Sequence, residues 1–148
     1  MSAAATIADA LGVVLTRGFR NGLYTSVTHG VADGLTEANY PVLSALARVG
    51  GARSAAALAP ELGLDRSVVS RRAAELIRAG LLAQETDPDD RRQALLVLTP
   101  SGTDAVHEAR LRLEAAIAEH VRTWADADQE ALAVLLARFT ATPLTATE

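Results

Sequence analysis

Residues 54–82 read SAAALAPELGLDRSVVSRRAAELIRAGLL and carry the strongest fold signal of the sequence. Two segments in it carry apolar residues at the spacing of a helix. Each segment follows a residue that favours the N-cap position, Ser54 before the first and Asp65 before the second. The sequence therefore predicts two short helices in succession, over about residues 55–62 and 66–79.

The connection between these helices has the small residues of a helix-turn-helix. Two helices that cross at a fixed angle need a small residue where they touch and often a glycine in the turn. Ala59, Gly63 and Val69 have this spacing, and Val69 is expected to pack inward. In a helix-turn-helix protein the second helix enters the major groove of DNA.

A charged hairpin is predicted directly after the second helix. DPDDRRQALLVLTPSG, residues 87–102, places a charged tip between the apolar runs 81–83 and 94–98. This arrangement extends the helix-turn-helix to a winged helix, whose wing reaches along the DNA backbone to a minor groove.

The charged residues of this wing are expected to have different roles in DNA binding. An arginine at a hairpin tip loses rotamer entropy on binding, and a nearby carboxylate that holds its guanidinium reduces that cost. We predict that Asp90 orients Arg92, that Arg92 contacts the minor groove, and that Arg91 contacts a phosphate. Asp87 and Asp89 would repel the DNA backbone unless they cap the turn.

Helices are predicted on both sides of this region. Apolar residues recur at helical spacing over residues 7–31, which predicts one long helix or two shorter ones. A helix is expected from about Thr36, or from nearer Tyr40 because of Pro41. Thr99 followed by Pro100 starts a helix of about twenty-five residues that ends near residue 124, and a last helix follows at 127–140. The apolar faces of the last two helices need a second surface to cover them.

The charge of the chain is acidic overall but basic where the second helix of the motif lies. The formal net charge is −4, which argues mildly against a nucleic-acid partner. Between Arg66 and Arg78, however, four arginines face a single acid, Glu75. One segment is therefore locally basic.

Several function classes are excluded by what the sequence lacks. There is no cysteine, so a disulfide, a thiol switch and a cysteine-ligated metal are excluded. His29, His107 and His120 lack metal-ligand spacing. A nucleophile elbow, a phosphate loop and a dinucleotide fingerprint are all missing. We predict no enzyme, no catalytic residue, no metal and no cofactor.

The amino-terminal segment points to the cytoplasm. Its short apolar run has no cationic start and contains Asp9, which is unlike a signal peptide or a membrane span. We expect a cytoplasmic protein that does not bind a membrane.

Three stretches together resemble the MarR family of bacterial transcriptional regulators. They are LTEANYPVLSAL at 35–46, the helix-turn-helix of 54–82, and TDPDDRRQALLVLTPSG at 86–102. The most specific parts are the D-x-R of Asp90 and Arg92 and the LT-x-x-G that ends at Gly102. Gln84, where a basic residue is usual, and Arg72, where an apolar residue is common, depart from the family pattern.

The resemblance implies an obligate homodimer on a pseudo-palindromic operator in double-stranded DNA. It further implies a repressor that a small aromatic or anionic ligand releases from the operator. The expected fold is mainly α with a small β-hairpin wing, in a single domain of residues 1–148. Residues 1–34 and 100–142 would form a helical dimerisation region, and residues 35–99 the winged helix-turn-helix lobe.

The candidate DNA contacts lie on the second helix and the wing. Arg66 and Arg71 can donate to guanine O6 and N7 or to phosphate, and serine hydroxyls can bind base edges or phosphate. The full predicted set is Ser54, Arg66, Ser67, Ser70, Arg71, Arg72, Arg91 and Arg92, with Asp90 as wing support.

A ligand site is predicted near the junction of the first helices and the lobe. An arginine with a phenol and an imidazole can hold a carboxylate or a phenolate in an apolar pocket. The residues that could do so here are Arg17, Arg20, Tyr24, His29 and Tyr40.

Two alternatives remain open at the level of sequence. The protein could be a DNA-binding regulator without a small-molecule effector, or one that activates. It could also be a winged-helix module that binds protein. The arrangement of Arg66, Arg71 and Arg92 distinguishes DNA binding from protein binding. If these arginines point in different directions, they form no continuous surface for phosphates, and protein binding is favoured.

Overall fold

Seven helices and one two-stranded sheet form the part of the chain, residues 2–142, that a computed structural model describes. The elements in chain order are α1 (Ala3–Val14), α2 (Arg17–Thr28), α3 (Tyr40–Val49), α4 (Ala55–Leu62), α5 (Arg66–Arg78), β1 (Leu82–Thr86), β2 (Ala94–Leu98), α6 (Pro100–His120) and α7 (Asp126–Thr140). The predicted fold class, mainly α with a β-hairpin wing, is confirmed. The chain divides into two compact units, one that ends at Arg112 and one that begins at Leu113.

The core of the first unit lies where α3, α4 and α5 meet. Leu43 and Leu46 of α3, Leu58 of α4, and Val69 and Leu76 of α5 are at most 1% exposed. Burying each of these side chains contributes roughly 1.5–3 kcal/mol to folding. The inward position predicted for Val69 is confirmed, and this packing fixes how α5 is presented.

The ends of α4 and α5 follow from local chemistry. The Ser54 hydroxyl accepts a hydrogen bond from the Ala57 N–H at 3.1 Å and starts α4. Gly63 ends it with a φ of 62°, in the left-handed region that glycine adopts without steric cost. Asp65 occupies the N-cap position of α5, but its side chain makes no capping hydrogen bond. The helix-turn-helix is therefore present, with one of its two predicted caps.

The amino-terminal segment forms two helices, α1 and α2, where the sequence allowed either one long helix or two shorter ones. The Thr16 hydroxyl starts α2 by accepting a hydrogen bond from the Phe19 N–H at 3.3 Å. α3 begins at Tyr40 and not at Thr36. Pro41 consequently falls in the first turn of α3, where a missing N–H costs nothing.

The wing is an antiparallel hairpin anchored to the lobe by a third segment. β1 pairs with β2 from Leu82 opposite Leu98 to Thr86 opposite Ala94. Arg53, just before α4, exchanges two backbone hydrogen bonds with Leu96, at 3.1 and 2.7 Å. This bridge ties the wing to the start of the helix-turn-helix.

The LT-x-x-G motif joins the wing to α6. The Thr99 hydroxyl donates to the Gly80 carbonyl at 2.7 Å and accepts from the Gly102 N–H at 3.0 Å, so the threonine is the predicted N-cap of α6. Gly102 lies directly against the Leu81 carbonyl oxygen, and a Cβ at this position would overlap that oxygen. The motif therefore lets α6 start in contact with the turn after α5.

Of the two carboxy-terminal helices, α6 is shorter than predicted, whereas α7 agrees with its predicted range to within one residue. α6 ends at His120, and residues 121–124 form a turn in which the Trp124 N–H donates to the Val121 carbonyl at 2.9 Å. α7 has no buried residue. No helix within residues 2–142 combines the length and the apolar character needed to cross a bilayer.

Candidate nucleic-acid interface

A groove lies between α5 and the wing, and it gathers polar side chains from both. Its volume is about 490 Å³. Arg66 and Ser70 line it from α5, Arg92 from the wing, and Ser54 from the start of α4. Four of the predicted DNA contacts thus share one groove.

The faces of α5 sort the remaining predicted contacts. Val69, Ala73 and Leu76 are buried and define the inward face. At 3.6 residues per turn, Ser67 and Arg71 project on the opposite side of the helix, and both are exposed. The first two turns of α5 therefore present polar residues on two sides. Arg66 and Ser70 face the groove, and Ser67 and Arg71 face solvent.

Arg72 lies on another face of α5. It is about 200° around the helix from Ser70. It lines a different cleft, together with Arg17 and Arg20 of α2, and does not line the groove. The sequence placed Arg72 among the DNA contacts, and the structure separates it from Arg66, Ser70 and Arg92.

The acids of the wing bind backbone and not guanidinium. The Asp90 carboxylate accepts the backbone N–H of Arg92 at 3.0 Å, and Asp87 accepts that of Asp89 at 2.9 Å. The expected ion pair between Asp90 and the Arg92 side chain is absent from the salt bridges of residues 2–142. A side-chain oxygen two residues before an N–H closes a turn of its own, so both acids shape the tip of the wing.

The arginines of this surface form no salt bridge with an acid of residues 2–142. Arg66, Arg71, Arg91 and Arg92 are exposed, and within the described part of the chain none of them forms a salt bridge. A free guanidinium can donate two parallel hydrogen bonds to a phosphate or to the O6 and N7 edge of guanine. The surface can therefore bind a polyanion.

Ser54 has a structural duty that the sequence also suggested. It is 5% exposed, and its hydroxyl oxygen accepts the capping hydrogen bond of α4. Its hydroxyl hydrogen remains a donor, at the floor of the groove.

Gln84 and Gln93 line the same groove, although neither was among the predicted DNA contacts. Both sit on the wing, where a side-chain amide can bind an adenine edge or a phosphate. The alternation of side chains along β1 could have placed Gln84 on the side of the hairpin that faces α5.

The predicted ligand residues do not all come together. Arg17, Arg20 and Tyr24 line one cleft on α2. Tyr40 is buried, with its ring centre 5.6 Å from that of Tyr24, so it supports the cleft from behind. His29 ends α2, where its carbonyl accepts a hydrogen bond from the Arg112 guanidinium at 2.6 Å. Neither His29 nor Tyr40 lines the cleft.

Known proteins resemble this chain in sequence. The sequence model of the MarR family matches residues 33–93. A proposed transcriptional regulatory protein for the hcr operon of Thauera aromatica is 36% identical over 106 residues, which cover 68% of this chain. The match spans 61% of the length of that relative.

Solved structures resemble it over nearly its whole length. RV1404 from Mycobacterium tuberculosis is 26% identical with a TM-score of 0.76, and the match covers 95% of this chain and 94% of that one. A MarR-family transcriptional regulator from Rhodococcus sp. RHA1 is 25% identical with a TM-score of 0.67, over 87% and 91% of the two chains. The apo form of MarR from E. coli, at 18% identity and a TM-score of 0.72, shares the fold over 94% and 97%.

Proposed function

The chain belongs to the MarR family of transcriptional regulators, and we propose that it binds a pseudo-palindromic operator in double-stranded DNA as a homodimer. The observation that carries this proposal is the groove in which Arg66 and Ser70 of α5 and Arg92 of the wing lie together. In a winged helix this pairing sets one helix against the major groove and the wing against the neighbouring backbone and minor groove. Membership in a family of regulators agrees with the prediction that the chain is not an enzyme.

Each contact has a role in this proposal. Arg66, Ser67, Ser70 and Arg71 contact base edges and phosphates in the major groove. Arg92 enters the minor groove, Arg91 contacts a phosphate, and Asp90 holds the turn that places both. Ser54 donates its hydroxyl hydrogen to a phosphate at the floor of the groove.

Two sets of exposed apolar side chains support a homodimer. Ile7, Val14 and Phe19 of the first two helices are 45–48% exposed. On α7, Leu132, Leu135, Leu136 and Phe139 are 36–53% exposed. Apolar side chains in such number on one chain indicate surfaces that a partner covers, and a second copy brings a second winged helix to the other operator half-site.

The regulatory part of the proposal is repression relieved by a ligand. We assign the ligand to the cleft of Arg17, Arg20 and Tyr24, where guanidiniums and a phenol can hold an anion. The ligand would favour a state of the dimer that binds DNA less tightly, as any ligand with different affinities for two states must. The protein would do this work in the cytoplasm, where bacterial operators are accessible.

A gel-shift titration over a range of salt concentrations tests DNA binding. The probe is the DNA upstream of the protein's own gene. Because guanidinium–phosphate contacts release counterions, affinity should fall by roughly 1,000-fold or more between 50 and 200 mM salt, if six or more phosphates are contacted per dimer. A flat salt response would contradict DNA binding and would instead fit a winged helix that binds protein.

A further inference from the structure

The cleft on α2 is more cationic than its predicted residues suggested. It has a volume of about 470 Å³ and is bounded by side chains of α2, α3, α4 and α5. Besides Arg17 and Arg20, it contains Arg48 of α3 and Arg72 of α5, so four arginines converge on it. Glu37 and Glu61 are its only acids. The cleft therefore carries two more positive than negative charges.

Among the described residues, a salt bridge joins one of these arginines to an acid. Arg48 forms a salt bridge with Glu61 at 3.3 Å. Within residues 2–142, Arg17, Arg20 and Arg72 form no salt bridge. Because the cleft holds two more positive than negative charges, an anion bound there would lower the repulsion among its arginines.

The remaining walls of the cleft are suited to an apolar body. Ala38 and Pro41 line it from the turn before α3 and from the first turn of α3, and Leu62 and Leu64 line it from the end of α4 and the turn that follows. Asn21 and Tyr24 add neutral hydrogen-bond donors on the α2 side. Pockets for small molecules combine such apolar walls with a few polar anchors.

Arg72 is the residue that connects this cleft to α5. It is partly buried, whereas Arg17, Arg20 and Arg48 are exposed. An arginine at such a position can pack its aliphatic stem against the helix and keep its guanidinium in the cleft. Arg72 lies between Arg71 and Ala73 on the helix that the proposed function sets in the major groove.

We propose that the cleft binds a small dianion with an apolar body, either a phosphate monoester or a dicarboxylate, and that Arg72 transmits its presence to α5. Two negative charges match the net charge of the cleft, and guanidiniums bind phosphate and carboxylate oxygens in pairs of parallel hydrogen bonds. A single carboxylate leaves one positive charge uncompensated. The binding step stands independently, and only its effect on DNA rests on the proposed function.

Calorimetric titration of the full chain without DNA tests the binding step. The probes are phenyl phosphate, phthalate and benzoate at pH 8 and constant ionic strength, where the first two carry two negative charges. We expect at least one dianion to bind roughly tenfold more tightly than benzoate, since charge-assisted hydrogen bonds are the strong ones. If only phenyl phosphate binds more tightly than benzoate, the ligand class is a phosphate monoester. If only phthalate does, the ligand class is a dicarboxylate. Equal binding of all three, or no binding, overturns the proposal.

Variants of α5 test the role of Arg72. Arg72→Gln should weaken the dianion roughly tenfold or more, while Arg78→Gln, the same change on an exposed part of the same helix outside the cleft, should leave its affinity unchanged. Arg20→Gln provides the same test from α2 if the Arg72 variant does not fold. Equal losses in Arg78→Gln, or no loss in Arg72→Gln and Arg20→Gln, would contradict the assignment.

Operator binding separates the two proposals. At dianion concentrations that saturate each protein, the dianion should weaken DNA binding by the wild type and weaken it less in Arg72→Gln, because coupling between two ligands is reciprocal and passes here through Arg72. An equal loss of operator affinity in both saturated proteins would show that Arg72 does not transmit the effect. If the protein binds the dianion but no DNA, the proposed function is wrong and the dianion site in the cleft still stands. A chain that binds DNA but no dianion refutes the cleft alone.

Discussion

Leu132→Asp is expected to convert the homodimer into monomers and to lower operator affinity by roughly 1,000-fold or more, to the level of non-specific binding. Leu132, Leu135, Leu136 and Phe139 lie on one face of α7 and are exposed in the isolated chain. A carboxylate in the centre of this face would be buried without a partner in the dimer, which costs several kcal/mol. Size-exclusion chromatography with light scattering measures the mass, and a gel shift measures the affinity.

Val134→Asp is the matched control for this experiment. Val134 is 63% exposed and lies about 200° around α7 from Leu132, so the same charge enters the same helix on the other side. We expect this variant to stay dimeric and to bind the operator. A Leu132→Asp protein that remains a dimer would show that this face of α7 is not the interface.

The double variant Arg71→Ala, Arg92→Ala is expected to weaken operator binding by roughly 2–6 kcal/mol while the dimer stays folded. Each arginine is worth roughly 1–3 kcal/mol, and the two lie on different elements, so their effects should add. Both are exposed and, in residues 2–142, free of salt bridges, which makes a loss of folding stability small. Gel-shift titrations of the single and double variants show whether the two losses of binding free energy add.

Arg110→Ala controls for the loss of positive charge alone. Arg110 is exposed on α6 and lies outside the groove. Its removal should change operator affinity little. An equal loss in this variant would mean that net charge, and not the surface of α5 and the wing, determines binding.

The helix-turn-helix and the wing could be predicted because their signals are local. Ser54 and Thr99 cap helices by hydrogen bonds within three residues, and Gly63 ends α4 in a backbone conformation that favours glycine. The two apolar runs on either side of the charged tip, residues 81–83 and 94–98, predicted the hairpin. The same signals carried the family resemblance.

Other features depend on contacts that periodicity does not contain. Apolar spacing continues through Trp124, yet α6 ends at His120, because a turn can keep Val121 buried as well as a helix does. The Asp90 carboxylate accepts the backbone N–H of Arg92, two residues further on, which costs less side-chain entropy than holding a guanidinium. In both cases the same sequence pattern fits two different local structures, and the pattern does not distinguish them.

Arg72 shows the same limit at the candidate site. Its neighbour Arg71 projects outward, and a sequence of two arginines gives no indication that the second one turns toward α2. The partners that define its cleft are far away in sequence, at Arg17, Arg20 and Arg48. Only the packing of α2 and α3 against the helix-turn-helix brings them together.

Selection of bound duplexes from a random pool tests most directly whether two winged helices of one dimer contact one side of DNA. We predict enrichment of two inverted half-sites whose centres lie about 10 base pairs apart, or a multiple of that spacing, because each α5 enters a successive major groove on the same face. Enrichment of a single unpaired half-site, or no enrichment at all, would contradict it.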